Sequence, residues 1–191
     1  MLAARFNMKQ ASSLPLIDRT MLREESKAKS TFEIMFKEAL LEIQHERRVL
    51  ILSEPFSLVV RQDGKPSLLY KPDFLFPENY MNGKPLVVEP HGAKLITIPY
   101  LEKFKAASET YGTYAVLASH YDAAVINRAI GADVGSYVGR YVHIDVTSGP
   151  GSGVRSVKDI IGKILNQTHL GIGSVPKLMD ILASEQSARR Q

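Results

Sequence analysis

The apolar positions of this chain fall into two periods, and the switches between them outline its elements. Phe32, Met35, Phe36, Ala39, Leu40 and Ile43 recur at the three- and four-residue spacing of one helical face. Ser30 and Glu33 have the spacing of a capping box, and Arg47 or Arg48 suits the far end, where positive charge meets the helix dipole. Glu38, Glu42 and Glu46 recur every four residues and mark the solvated side. Short runs with strand character follow at 49–52, 57–61 and 67–70, with Asp63-Gly64-Lys65 as the turn joining the last two. Leu86–His91 reads as a central strand, followed by a helix from about Pro99 to Thr110 and a strand at Tyr114–Ser119. A short helix at Asp122–Ile130 and a strand at Tyr141–Val146 come next. Beyond a stretch of serines and glycines, helices are expected at Val154–Leu165 and, capped by Ser174 with Pro176 early in it, up to about Glu185.

A hairpin followed by strands alternating with helices predicts an α/β fold, a mixed central sheet with helices on its faces. Residues 1–29 show no sustained period and read as a basic N-terminal arm. Residues 30–146 form the core, and 147–191 a C-terminal helical extension packed on the same domain.

Composition narrows the functional classes. At 191 residues, 45% apolar and 23% charged, the chain suits one domain with a sizeable core. It has no cysteine, which excludes disulfides, thiolate zinc sites and cysteine nucleophiles. No apolar run approaches the ~18 residues of a membrane span, and the apolar part of the first residues is too short for a secretory signal. Acids are absent before Asp18, which leaves a mitochondrial targeting peptide open; the expectation is a cytoplasmic protein with no membrane partner. The net charge of +4 is unevenly spread: +3 over residues 1–29, −2 over 30–150 and +3 over 151–191. Basic ends around a mildly acidic centre suit an enzyme that holds a cation and acts on a polyanion, and equally suit termini that merely aid solubility.

The chemistry concentrates between Leu69 and Gly92, in LYKPDFLFPENYMNGKPLVVEPHG. Asp73 follows a proline after an apolar strand. Glu89 lies 16 residues later on a second apolar strand, reached through Asn82-Gly83-Lys84-Pro85. Alternation along a strand sends Glu89 and His91 to one side and Val88 and Pro90 to the other. If the strands are neighbours, Asp73 joins the pair and three metal-capable groups meet at one sheet edge. A buried acid needs a partner, and a bound cation is a natural one.

This spacing resembles the PD-(D/E)xK nuclease superfamily, the restriction-endonuclease-like fold. Pro72-Asp73 stands where that family has PD, and Glu89-Pro90-His91 where it has (D/E)xK, with His91 in place of the lysine. The order of a helix opening at Ser30-Thr-Phe-Glu33, a hairpin from Glu54-Pro55-Phe56 to Asp73, then the helix and strand through Ser119, is similar to TnsA-type transposon endonucleases and more loosely to Holliday-junction resolvases. The likeness covers roughly residues 30 to 120.

The resemblance implies a divalent-metal-dependent DNA endonuclease, with Asp73 and Glu89 as ligands of Mg²⁺ or Mn²⁺. Catalytic roles would then fall to Glu33, Asp73, Glu89 and His91. It implies DNA as partner, and a homodimer for an enzyme cutting both strands. His91 stands where the lysine orients or activates water; it suits a third ligand, a general base, or a chain that has lost activity. Glu33 matches the early-helix glutamate that adds a metal contact, while its spacing from Ser30 explains it as a cap. A catalytically inactive nuclease-fold DNA-binding or assembly module is the alternative.

Other features carry less. Lys103, Lys94 and Lys71 are candidate stand-ins for the lysine. Gly149-Pro-Gly151-Ser-Gly153 lacks the Gly-Lys-Ser/Thr ending of a P-loop and the spacing of GxGxxG, although backbone N–H groups at the following helix start suit a DNA phosphate. His45, His120, His143 and His169 form no ligand pattern.

Overall fold

The computed structural model describes residues 31–54, 57–60, 68–78 and 83–166. The arm at 1–29, Ser30, the turn at 63–65, the helix expected at 174–185 and His169 lie outside these residues.

Helix α1 (Thr31–Arg47) leads, followed by β1 (Leu52–Ser53), β2 (Leu58–Val60), β3 (Leu68–Tyr70), β4 (Phe74–Phe76) and β5 (Leu86–Pro90). Then come a 3₁₀ turn (Ala93–Leu95), α2 (Ile98–Tyr111), β6 (Tyr114–Ser119), α3 (Ala123–Ile130), a second 3₁₀ turn (Val134–Ser136), β7 (Arg140–His143) and α4 (Ser152–Asn166). The five-stranded sheet runs β1-β4-β5-β6-β7, antiparallel as far as β5 and parallel from β5 to β7. This is the expected α/β fold, a mixed sheet flanked by four helices. Four details differ from the sequence reading, one being that the strand expected at Tyr141–Val146 runs from Arg140 to His143. The hairpin β2–β3 stands apart as its own two-stranded sheet. The strand expected at 49–52 shrinks to Leu52–Ser53. Asp73 does not merely end a hairpin: it heads β4, a strand not anticipated.

Alternation along the strands sorts the core into two layers. Phe74, Phe76, Leu86, Val88, Val116 and Ala118 pack on one face against α1 and α4. Leu75, Val87, Ala115 and Leu117 pack on the other with Tyr70, Leu101 and Phe104 of β3 and α2. Because β5 is covered on both sides, all five of its residues are buried, which is why it reads as a continuous apolar run. Glu38, Glu42 and Glu46 face solvent as their spacing predicts. Lys158 of α4 bridges Glu42 (2.9 Å) and Glu46 (2.6 Å), and Arg47 donates to the Gly162 carbonyl (3.3 Å) and the Asn166 side chain (2.7 Å). Gly162 makes room for that guanidinium: a Cβ there would stand 2.6 Å from an Arg47 nitrogen.

Thr97 caps α2, its hydroxyl accepting from Tyr100 N at 3.4 Å, and Gly112 ends the helix at φ 65°, a left-handed conformation natural to glycine. These caps fix where α2 begins, and with it the first-turn Tyr100. Among the described residues no helix is long and apolar enough to cross a membrane.

Past β7, Asp145 closes its own loop by accepting from Thr147 N (2.8 Å), Thr147 Oγ1 (2.9 Å) and the Ser148 hydroxyl. The Ser148 and Thr147 hydrogen bonds hold its carboxyl down at about 2, below an ordinary aspartate. A depressed folded-state value means that this loop's contribution is present above the unfolded value and is lost as pH falls toward about 2. Carboxyl NMR should place the Asp145 midpoint near 2; a midpoint near 4 would show the loop open in solution.

Candidate metal centre

The ladder between β4 and β5 sets Phe74 opposite Val88, so one step further brings Asp73 opposite Glu89. The pairing is reinforced by the side chain: Asp73 N donates to Glu89 Oε1 at 3.0 Å. On the other flank, His91 N donates to the Ala118 carbonyl at 2.8 Å, extending the β5–β6 register to the residue that carries the imidazole. Strand pairing thereby brings the three side chains to one end of the sheet.

Glu89 is buried, with 2% of its surface exposed, at the end of the central strand. A carboxylate there is tolerable only if hydrogen-bonded. Oε1 accepts from Tyr70 OH (2.5 Å) and Asp73 N; Oε2 accepts from Tyr100 OH (3.1 Å) and lies 3.3 Å from His91 Nε2. Tyr70 ends the hairpin and Tyr100 opens α2, so elements from both sides of the chain converge on this one acid. Burial first, and then the charge of Glu89, push both phenols well above their ordinary value, which keeps them protonated donors.

His91 lies edge-on to Tyr100, ring centres 4.8 Å apart. Burial pulls its imidazole down, but the hydrogen bond to Glu89 and the charges of Glu89, Asp73 and Glu33 outweigh that and raise it. A site that holds a proton this way has a negative potential, the same potential a cation would meet. Its Nδ1 is buried without a hydrogen-bond partner.

Asp73, Glu89 and His91 each offer one ligand atom, and these atoms lie within 4.8 Å of one another. Oxygen ligands about 2.1 Å from one ion stand about 3 Å apart when adjacent and about 4.2 Å when opposite. Modest side-chain adjustment therefore brings the three into coordination range. Two carboxylates and one imidazole fit a divalent cation in both charge and donor type.

Comparison with family models, curated proteins and solved structures finds no match for this chain. The site must be read from its own geometry.

Of the four residues singled out by sequence, Asp73, Glu89 and His91 are brought together. Glu33 stands in the first turn of α1, outside that group, although its charge reaches His91. Lys71 is engaged by Glu54 in an ion pair, Lys94 sits on the 3₁₀ turn after β5, and Lys103 is half-buried on α2. His143 pairs with Asp122 at 3.3 Å, and His45 is exposed near the end of α1. Sequence reasoning missed Tyr70 and Tyr100. The only signal for the first was a tyrosine closing an apolar run just before Pro72-Asp73; the second was hidden in a helix start. Lys37, 2% exposed and one turn after Glu33, received no reading from the sequence.

Proposed function

We propose that this protein is a divalent-metal-dependent DNA endonuclease of the PD-(D/E)xK type, hydrolysing phosphodiester bonds. The observation that carries the reading is the convergence of Asp73, Glu89 and His91 within 4.8 Å, built on adjacent strands at the carboxyl end of β5. Asp73 and Glu89 are the oxygen ligands for Mg²⁺ or Mn²⁺. When bound, such an ion polarises a phosphodiester and acidifies a water. Tyr70 and Tyr100 hold the plane of the Glu89 carboxylate through one hydroxyl on each oxygen. His91 Nε2 serves as third ligand or takes the proton from the attacking water. Glu33 adds negative charge from α1. Basic segments at both ends of the chain supply non-specific attraction to DNA.

A second reading has its own observation. Glu89 already meets four donors, and the lysine position holds His91. Both features favour a nuclease-fold DNA-binding or assembly module without chemistry. Supercoiled, linear, single-stranded and branched DNA incubated with Mn²⁺, Mg²⁺ or EDTA separates the two. Metal-dependent cutting that disappears in Asp73→Ala while binding persists supports the enzyme; binding without cutting supports the module. An imidazole in the coordination shell shifts preference toward transition metals, so faster cutting in Mn²⁺ than in Mg²⁺ is expected. Equal or slower Mn²⁺ rates would remove His91 from the ligand set. Double-strand cutting is expected to need a homodimer, which sedimentation at working concentration tests.

A further inference from the structure

A second feature adjoins the acidic triad. A cleft of about 900 Å³ opens beyond the carboxyl ends of β5 and β6, between α1 and the first turn of α4. Open α/β sheets bind ligands at this edge, and small-molecule sites occupy about 300–1,000 Å³. Its walls are mostly apolar, and three of the large apolar side chains most exposed on the described surface, Leu95, Tyr121 and Val146, converge on it. A contiguous patch of that kind marks a binding surface rather than scattered exposure.

Within the apolar wall, one side is aromatic, its rings tilted to one another by 54° and 41°. The His120 ring lies 4.9 Å from Phe32 and 4.3 Å from Tyr121. Two polar atoms at the cleft are buried and have no hydrogen-bond partner: His120 Nδ1 and Ser152 Oγ. Ser152 is 7% exposed and opens the 15-residue helix α4. A buried, unsatisfied hydroxyl is costly, and a bound acceptor or donor would remove that cost. It stands where the first N–H groups of a helix lack intrahelical partners and favour an anion. Gly153 lets the helix start come this close to α1, since a Cβ there would meet Met35 Sδ at 2.9 Å. Burial, and then the nearness of His143, lower the His120 imidazole, so it is a neutral hydrogen-bonding ring rather than a cation.

Cleft and metal centre adjoin in sequence at two points. Gly92, on its wall, directly follows His91, and Phe32 directly precedes Glu33. We propose that the cleft holds one unpaired nucleotide of the polynucleotide substrate, its base against Phe32, His120 and Tyr121 and a phosphate at the first turn of α4. A neighbouring phosphate of the same strand then lies at Asp73, Glu89 and His91. The proposal rests on the nuclease reading and adds the substrate class. A base stacked and paired in a duplex offers neither face nor edge to such a wall, so the preferred substrate is single-stranded, frayed or branched.

Two measurements on the full chain test it. In metal-free NMR titrations, a deoxynucleoside 5′-monophosphate should shift the amides of Phe32, His120, Ser152 and Gly153, and Tyr121→Ala should weaken that binding about fivefold or more. Tyr121 is exposed and its hydrogen bonds are made by the backbone, its carbonyl accepting from Tyr141 OH and its N–H donating to Ser119 Oγ, so this variant keeps its fold. In cleavage assays with Mn²⁺, unpaired strands should be cut at least tenfold faster than duplex, and Tyr121→Ala should erase the difference. If cutting occurs without duplex discrimination, or inorganic phosphate alone reproduces every shift, the cleft proposal is overturned and the nuclease stands. If the mononucleotide shifts the cleft but no DNA is cut with any metal, the cleft is a nucleotide site but the nuclease reading falls, and the substrate assignment with it.

Discussion

Glu89→Gln should abolish metal-dependent cleavage, by about a thousandfold or more, while leaving the fold intact. The substitution keeps shape and one carbonyl acceptor but removes the charge that makes this group a ligand. Electrostatic stabilisation by a bound divalent ion is worth several kcal/mol in the transition state, and each 1.36 kcal/mol is a factor of ten. Folding survives because the surroundings adapt. The side-chain carbonyl can keep accepting from Tyr70 OH and Asp73 N, while the amide NH₂ turns to Tyr100 OH and His91, either of which can accept. Glu89→Ala lacks that adaptability and would leave four donors facing a void. Cleavage rates in Mn²⁺ alongside urea melts check the expectation. Glu89→Gln cutting within tenfold of the parent chain would remove Glu89 from the metal site.

Phe36→Ala carries the largest effect on stability, a loss of about 3–5 kcal/mol. Phe36 is fully buried on the core-facing side of α1, with its ring centre 6.1 Å from both Phe32 and Phe74. Truncation leaves a cavity between helix and sheet that neither rigid element can close. For a domain of this size the melting temperature should fall by about 6–20 °C. Phe74 directly follows Asp73, so metal affinity should weaken as well, as the loosened ring lets the head of β4 wander. A cost under about 1 kcal/mol in chemical denaturation would mean that α1 is not docked as described.

How far the sequence foretold this molecule depends on how each element is covered. α1, α2 and α3 were legible because each has one buried side and clear stops, such as Thr97 and Gly112 at the ends of α2, and β6 because its apolar run is six residues long. β4 was not. It is three apolar residues, Phe74–Phe76, between Pro72 and Pro77, buried on both sides, so it shows neither alternation nor length and its prolines read as a turn. That omission mattered, since β4 is what sets Asp73 against Glu89. The meeting of those two groups with His91 was nevertheless foreseeable, because alternation on β5 fixes the relation of Glu89 to His91 whatever lies beside it. The tyrosine collar was not foreseeable: Tyr70 and Tyr100 are 30 residues apart in sequence and meet only through the packing of hairpin, sheet and helix. The cleft was hidden for the same reason, being assembled from the ends of four separate elements.

The ladder that joins β4 to β5 has a consequence for how freely this protein can vary. Because main-chain pairing, and not the connection spanning 77–85, aligns Asp73 with Glu89, that connection bears no responsibility for the geometry of the acids. Insertions there, or a chain opened at that point and supplied as two fragments, should reassemble the same centre. The connection leaves the ladder at its Phe76–Leu86 end, three pair steps from Asp73 and Glu89, so its length can change without disturbing them.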